Sequence, residues 1–161
     1  MDVLVRGENL QILLAEDNPV NQRLALRLLE KHGHTVVAVN NGRAAVMALA
    51  TQRFDLVLMN VQMPELDGLG ATAQIRAQER ITGTRTPIVA VTANMTQADR
   101  ERCLATGMDD CVSKPIQTTE LFRVIMAVAP VAMRETELSA LAPLSWLLTC
   151  SQSLMLAHTA Q

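Results

Sequence analysis

Residues 54–68 read FDLVLMNVQMPELDG, and this stretch decides the fold. Phe54 to Met59 is an apolar run with little alternation, the pattern of a strand buried on both faces inside a parallel sheet. The run stops at Asn60. Pro64 delays the next helix, because proline restricts the residue before it. In open α/β sheets, ligands and chemistry gather where the carboxyl ends of strands meet their loops. Asn60 holds such a place, so its side chain is the first candidate for function.

Upstream, Leu10 to Ala15 (LQILLA) reads as a second buried strand, ending at the acids Glu16 and Asp17. Asn18 is a good N-cap and Pro19 a good first helical residue. Val20, Leu24 and Leu28 recur at i, i+4 and i+8 and are the expected buried stripe of that helix, which Gly33 ends. His34 to Val39 is a β-branched strand, and Asn41 caps a second helix reaching about Gln52. Downstream, Glu65 to Gly68 opens a third helix, Leu69 to about Glu79. Ile88 to Val91 is a strand ending at Thr92, and Thr96 with Asp99 caps a fourth helix that stops at Gly107. Asp109 to Val112 is a short strand followed by Ser113, Lys114 and Pro115. Thr118 caps a fifth helix, running to about Val128 before Pro130. Five strands alternating with five helices specify a parallel sheet covered on both faces, with right-handed crossovers.

Composition bounds the function. The chain has 161 residues, 49% of them hydrophobic and 19% charged, enough apolar surface for a full core. With two Phe, one Trp and no Tyr, that core must be aliphatic. A net charge of −2 gives no reason to expect nucleic-acid binding. Cys103, Cys111 and Cys150 have neither metal-ligand spacing nor a disulfide framework, which suits a reducing cytoplasm. The first residues, with Asp2, Arg6 and Glu8, do not read as a signal peptide. Leu138 to Ala157 has no charge but holds Pro143, Ser145, Thr149, Ser151, Gln152 and Ser153, a poor membrane span.

Four strand ends therefore carry polar groups: Glu16 and Asp17, Asn60, Thr92, and Lys114. A parallel sheet brings them to one edge. Each alone has an ordinary explanation: acids favour a helix start, a Thr can be structural, a Lys solvated. Together they describe a site for a hard cation and a phosphoryl group. Clustered carboxylates attract Mg²⁺, which bridges to phosphate oxygens, while a hydroxyl and an ammonium hold the remaining oxygens.

The phrases ILLAEDNPVNQ, DLVLMNVQMPELDG, PIVAVTAN and GMDDCVSKPI carry a resemblance. Residues 10–129 resemble the receiver domain of bacterial response regulators, most of all those attached to hybrid sensor histidine kinases. The resemblance implies a flavodoxin-like sheet of order 2-1-3-4-5. It makes Asn60 the phosphoacceptor position. It makes Glu16 and Asp17 metal-binding acids, with Asn60 and the backbone carbonyl of Gln62 completing the Mg²⁺ site. It makes Thr92 a switch hydroxyl and Lys114 a phosphate-contacting ammonium, and it implies a cis peptide before Pro115. The implied partner is a histidine kinase or phosphotransfer protein, with signalling through the surface of the fourth helix, fifth strand and fifth helix.

Two positions depart from that pattern. The family's acceptor is an Asp, and a neutral Asn60 carboxamide is a poor nucleophile that should block phosphorylation and weaken Mg²⁺ binding. Cys111 stands where the family usually has Tyr or Phe, so the aromatic half of the switch is altered. Retention of Glu16, Asp17, Thr92 and Lys114 leans toward a phosphorelay receiver with an Asp-to-Asn change. The alternative is a pseudo-receiver that docks partners regardless of phosphate, in which Lys114 merely neutralises the acid pair. A flavin binder of the same fold is disfavoured, because the acidic EDNP loop would repel a phosphate.

The remaining residues read as structural. His32 and His34 flank Gly33 at a helix end, and the nine Met are packing residues. Residues 1–9 are a lead-in. Residues 130–161 form an extension in which Leu138, Leu141, Leu144 and Leu148 suggest an amphipathic helix. It either packs on its own domain or offers a surface for a homodimer or partner.

Overall fold

The computed structural model describes residues 9–128. The expected helix around Leu138 to Leu148, and Cys150, lie outside the described residues. The elements run β1 (Gln11–Ala15), α1 (Pro19–Lys31), β2 (Thr35–Val39), α2 (Gly42–Thr51), β3 (Leu56–Asn60), α3 (Gly68–Thr82), β4 (Ile88–Thr92), α4 (Gln97–Thr106), β5 (Asp110–Ser113) and α5 (Thr118–Val128). The sheet is parallel with order β2-β1-β3-β4-β5. The parallel sheet is what the alternation predicts, and its flavodoxin-like order is the one the resemblance implies.

Burial explains why β3 is central. All five of its residues are buried, as are four of five in β1 and β4. Each fully buried Leu, Val or Ile contributes about 1.5–3 kcal/mol relative to exposure. The edge strand β2 is only partly covered. Polar caps set the helix starts. Asn18 accepts from the Val20 and Asn21 amides, Asn41 from Ala44, Asp67 from Gly70 and Thr96 from Asp99. Left-handed Gly83 and Gly107 end α3 and α4. The third helix runs past Glu79 to Thr82, and α5 begins at Thr118 itself, with the Gln117 carbonyl accepting from Leu121.

The stripe expected on α1 is corrected. Val20 and Leu24 are 72% and 57% exposed, and Leu28 is half-buried; Ala25 and Leu29 face the sheet instead. The same row includes the half-buried Gln22, which turns inward because its amide has backbone partners at the strand ends. A polar residue on the inner face hid that face from hydrophobic periodicity.

Two close approaches fix the loop after β3. A Cβ on Gly68 would lie 2.3 Å from the Asn60 carbonyl oxygen, and one on Gly42 would lie 2.2 Å from that of Leu66. The Gly42 amide donates to the Leu66 carbonyl and the Gly68 amide to that of Val61. The start of α2 thus clamps the loop that carries Gln62.

Candidate functional site

The parallel sheet brings the tips of β1, β3, β4 and β5 to one edge. Asp17, Asn60, Gln62, Thr92 and Lys114 line one pocket there, of about 570 Å³, with Asn18, Asn21 and Asn94 at its sides. Glu16 lies beneath, 3% exposed, and Asn60 is 4% exposed. A larger cavity of about 630 Å³ opens between the end of α2 and the end of α3, and none of the strand-tip groups lines it.

Asn60 makes the decisive contacts. Its Nδ2 donates toward Glu16 Oε2 at 3.1 Å, Asp17 Oδ1 at 2.9 Å and the Gln62 carbonyl at 2.8 Å. Glu16 is fully engaged. Its Oε2 also accepts from the Asn18 amide at 3.0 Å, and its Oε1 pairs with Lys114 Nζ at 2.9 Å. A hard cation prefers oxygen ligands, and three oxygens do converge here. At their meeting point, however, stands an N–H donor. The donor set as arranged does not fit Mg²⁺.

The residues expected to form a switch, Thr92, Lys114 and Cys111, are placed differently from one another. Thr92 Oγ1 donates to the Asn94 carbonyl at 3.1 Å and accepts from the Asn94 amide at 3.2 Å, a local turn at the pocket wall. The Lys114–Pro115 peptide is cis. Cys111 is 1% exposed on β5, and burial pushes its thiol pKa up, so it is held as a neutral thiol. Arg100 of α4 reaches across, with Nη1 3.3 Å from Cys111 Sγ and Nη2 3.5 Å from Asp110 Oδ1. A guanidinium thus lies against the small side chain at this strand position.

Two supporting residues have no warning in hydrophobic periodicity. Gln22 Nε2 donates toward the Glu16 carbonyl at 3.0 Å, the Val39 carbonyl at 3.2 Å and Asn40 Oδ1 at 3.1 Å, tying the tips of β1 and β2 together. Asn18 supplies both the α1 cap and the amide that holds Glu16. Their signal is the phrase EDNPVNQ, whose polar residues are too dense for capping alone.

Known proteins resemble this chain over the described domain. Residues 12–126 match the model of the response regulator receiver domain. The sensor histidine kinase GacS of Pseudomonas protegens is 43% identical over 125 residues, covering 77% of this chain and 14% of its own length. The hybrid signal transduction histidine kinase I of Dictyostelium discoideum is 40% identical over 120 residues, 71% of this chain and 7% of its own length. The chain therefore spans a small part of the curated relatives it matches. Among solved structures, the receiver domain of a Pseudomonas aeruginosa sensor histidine kinase is 45% identical with a TM-score of 0.68. It covers 75% of this chain and 98% of that one, and it holds a magnesium ion in its active site cleft. A chain of the Saccharomyces cerevisiae complex between the phosphotransfer protein Ypd1 and the Ssk1 receiver domain is 30% identical, with a TM-score of 0.73, covering 76% of this chain and 90% of that one.

Proposed function

The chain belongs to the response regulator receiver domain family, and from that premise we propose that it is a phosphorelay receiver whose acceptor position, Asn60, does not take a phosphoryl group. The single observation that carries this reading is the environment of Asn60. Its carboxamide sits at the central strand tip, ringed by Glu16, Asp17 and the Gln62 carbonyl, with Thr92 and Lys114 on the same pocket. An Asp side chain there would have a nucleophilic carboxylate. The P–N bond to a donor imidazole would break as a P–O bond formed to that carboxylate, giving an acyl phosphate. The neutral amide is a far poorer nucleophile, since its nitrogen lone pair is delocalised into the carbonyl and its oxygen carries no full negative charge.

In this reading the partner is a histidine kinase or phosphotransfer protein in the cytoplasm. The outgoing signal is carried by the face of α4, β5 and α5. With Asn60 in place, Mg²⁺ binding is weakened, because one carboxylate is missing from the ligand set.

A second reading is favoured by the hydrogen bonding of Asn60. Its amide satisfies the acids without phosphate or metal, as a docking module independent of phosphorylation requires. One experiment separates the two. A phosphotransfer protein labelled on its histidine is mixed with this chain and with its Asn60→Asp variant. The relay reading expects label to move to the variant alone, with a change in affinity for the partner. If the variant neither takes label nor changes affinity, the docking reading holds.

A further inference from the structure

We propose that the Asn60 carboxamide takes the place of the cation in this pocket, so that the strand tips are held in one arrangement without a metal. The inference rests on the receiver reading only in naming Mg²⁺ as the cation displaced. The orientation of the amide is set by its surroundings. Glu16 Oε2, Asp17 Oδ1 and the Gln62 carbonyl are all acceptors, at 2.8–3.1 Å from one atom, and only the NH₂ end can face them. Turning the amide over would set its own oxygen against three others.

The pocket is also close to neutral by itself. Two carboxylates against the Lys114 ammonium leave one formal negative charge, where an Asp at position 60 would leave two. The amide spreads its two hydrogens over the remaining oxygens. The loop bearing Gln62 needs no metal to stay in place, because Val61 donates to the Val91 carbonyl, Gly68 to Val61 and Gly42 to Leu66. A cation entering here must first strip the amide from three acceptors; Asp17 and Gln62 are exposed at the pocket mouth, but Asn60 and Glu16 are buried, where unpaired polar groups are costly.

This gives an ordering that a missing charge alone would not. If Asn60 were only a poorer ligand, its removal in Asn60→Ala would leave Mg²⁺ binding unchanged or weaker. If the amide occupies the cation's place, Asn60→Ala opens that place while keeping Glu16, Asp17 and the Gln62 carbonyl. Calorimetric titration with MgCl₂ should then rank Asn60→Asp tightest, Asn60→Ala next and the native chain weakest. The Ala variant should bind about tenfold tighter than the native chain, a factor equal to ~1.4 kcal/mol.

In the native chain labelled with ¹⁵N-asparagine, the Asn60 side-chain NH₂ signals should be protected from exchange and unmoved by millimolar Mg²⁺. Asn60→Ala binding no tighter than the native chain would overturn the inference. So would Asn60 side-chain signals that shift saturably with Mg²⁺, a result that requires no variant to fold. Failure of Asn60→Asp to bind Mg²⁺ or accept phosphoryl would instead overturn the relay reading, and the Ala-to-Asn ordering would still decide the role of the amide.

Discussion

Lys114 Nζ stands 2.9 Å from Glu16 Oε1, joining the tip of β5 to the tip of β1 across the two strands between them. The Glu16 side chain is 4% exposed and that of Lys114 21% exposed, so the carboxylate depends on the pair more than the ammonium does. Replacing Lys114 by Ala leaves a buried carboxylate short of a counter-charge. The expected cost is about 1–3 kcal/mol, discounted for the partial exposure of the lysine. Urea unfolding of Lys114→Ala checks it, and Lys114→Arg should recover part of the loss.

Asn60→Asp should be less stable than the native chain without divalent ions, and the loss should be recovered by Mg²⁺. The variant gathers three carboxylates where the native chain has two and an amide donor. Like charges at this range destabilise until a cation relieves them, and binding to the folded state then stabilises by mass action. Thermal melts with and without MgCl₂ give the result directly: a Tm that rises with Mg²⁺ for the variant and stays flat for the native chain.

Arg76 is 7% exposed on α3 and is the anchor of the opposite end of the sheet. It donates to the Gly107 carbonyl at 2.9 Å, the Thr86 carbonyl at 2.8 Å and Asp109 Oδ2 at 2.9 Å, and pairs with Glu79. Arg76→Ala should cost about 3–5 kcal/mol, because it strands buried acceptors. Arg85, 60% exposed in its ion pair with Asp109, should cost under about 1 kcal/mol when replaced by Ala. Chemical denaturation of the two variants separates the cases.

His34 gives the fold a pH dependence. Its Nδ1 accepts from the Leu10 amide at 3.3 Å, and burial, with His32 nearby, lowers its pKa. The unfolded chain, with a histidine pKa of about 6.5, therefore binds the proton more readily than the folded one. The associated stability is complete above that value and is lost as pH falls below it toward the folded pKa. The Tm should drop between about pH 7.5 and about pH 5.5, and His34→Gln, which keeps an acceptor, should drop less.

The sheet and its functional edge were legible because they rest on local rules. Apolar runs of strand length, caps such as Asn18 and Thr96, and stops such as Gly107 each mark an element boundary, and parallel alternation puts strand tips together. The facing of α1 was not legible, since Gln22 occupies the inner row and leaves Val20 and Leu24 outside. Arg76 was equally hidden. A lone arginine in a helix reads as solvated until Gly107, Thr86 and Asp109 are brought around it. At the site, the sequence marked Asn60 as anomalous, but which way its amide points depends on three acceptors from three separate positions. The same holds for Arg100 beside Cys111, a contact between α4 and β5 that no spacing encodes.

In the proposed reading this pocket suits a phosphoryl acceptor at position 60, and Asn60 blocks the chemistry. Intact-mass measurement after incubation with acetyl phosphate and MgCl₂ tests it most directly, with the native chain and Asn60→Asp side by side. The variant should gain the mass of one phosphoryl group, located at position 60, while the native chain stays unchanged. A phosphoryl group on Asn60 of the native chain, or none on the variant, would contradict it.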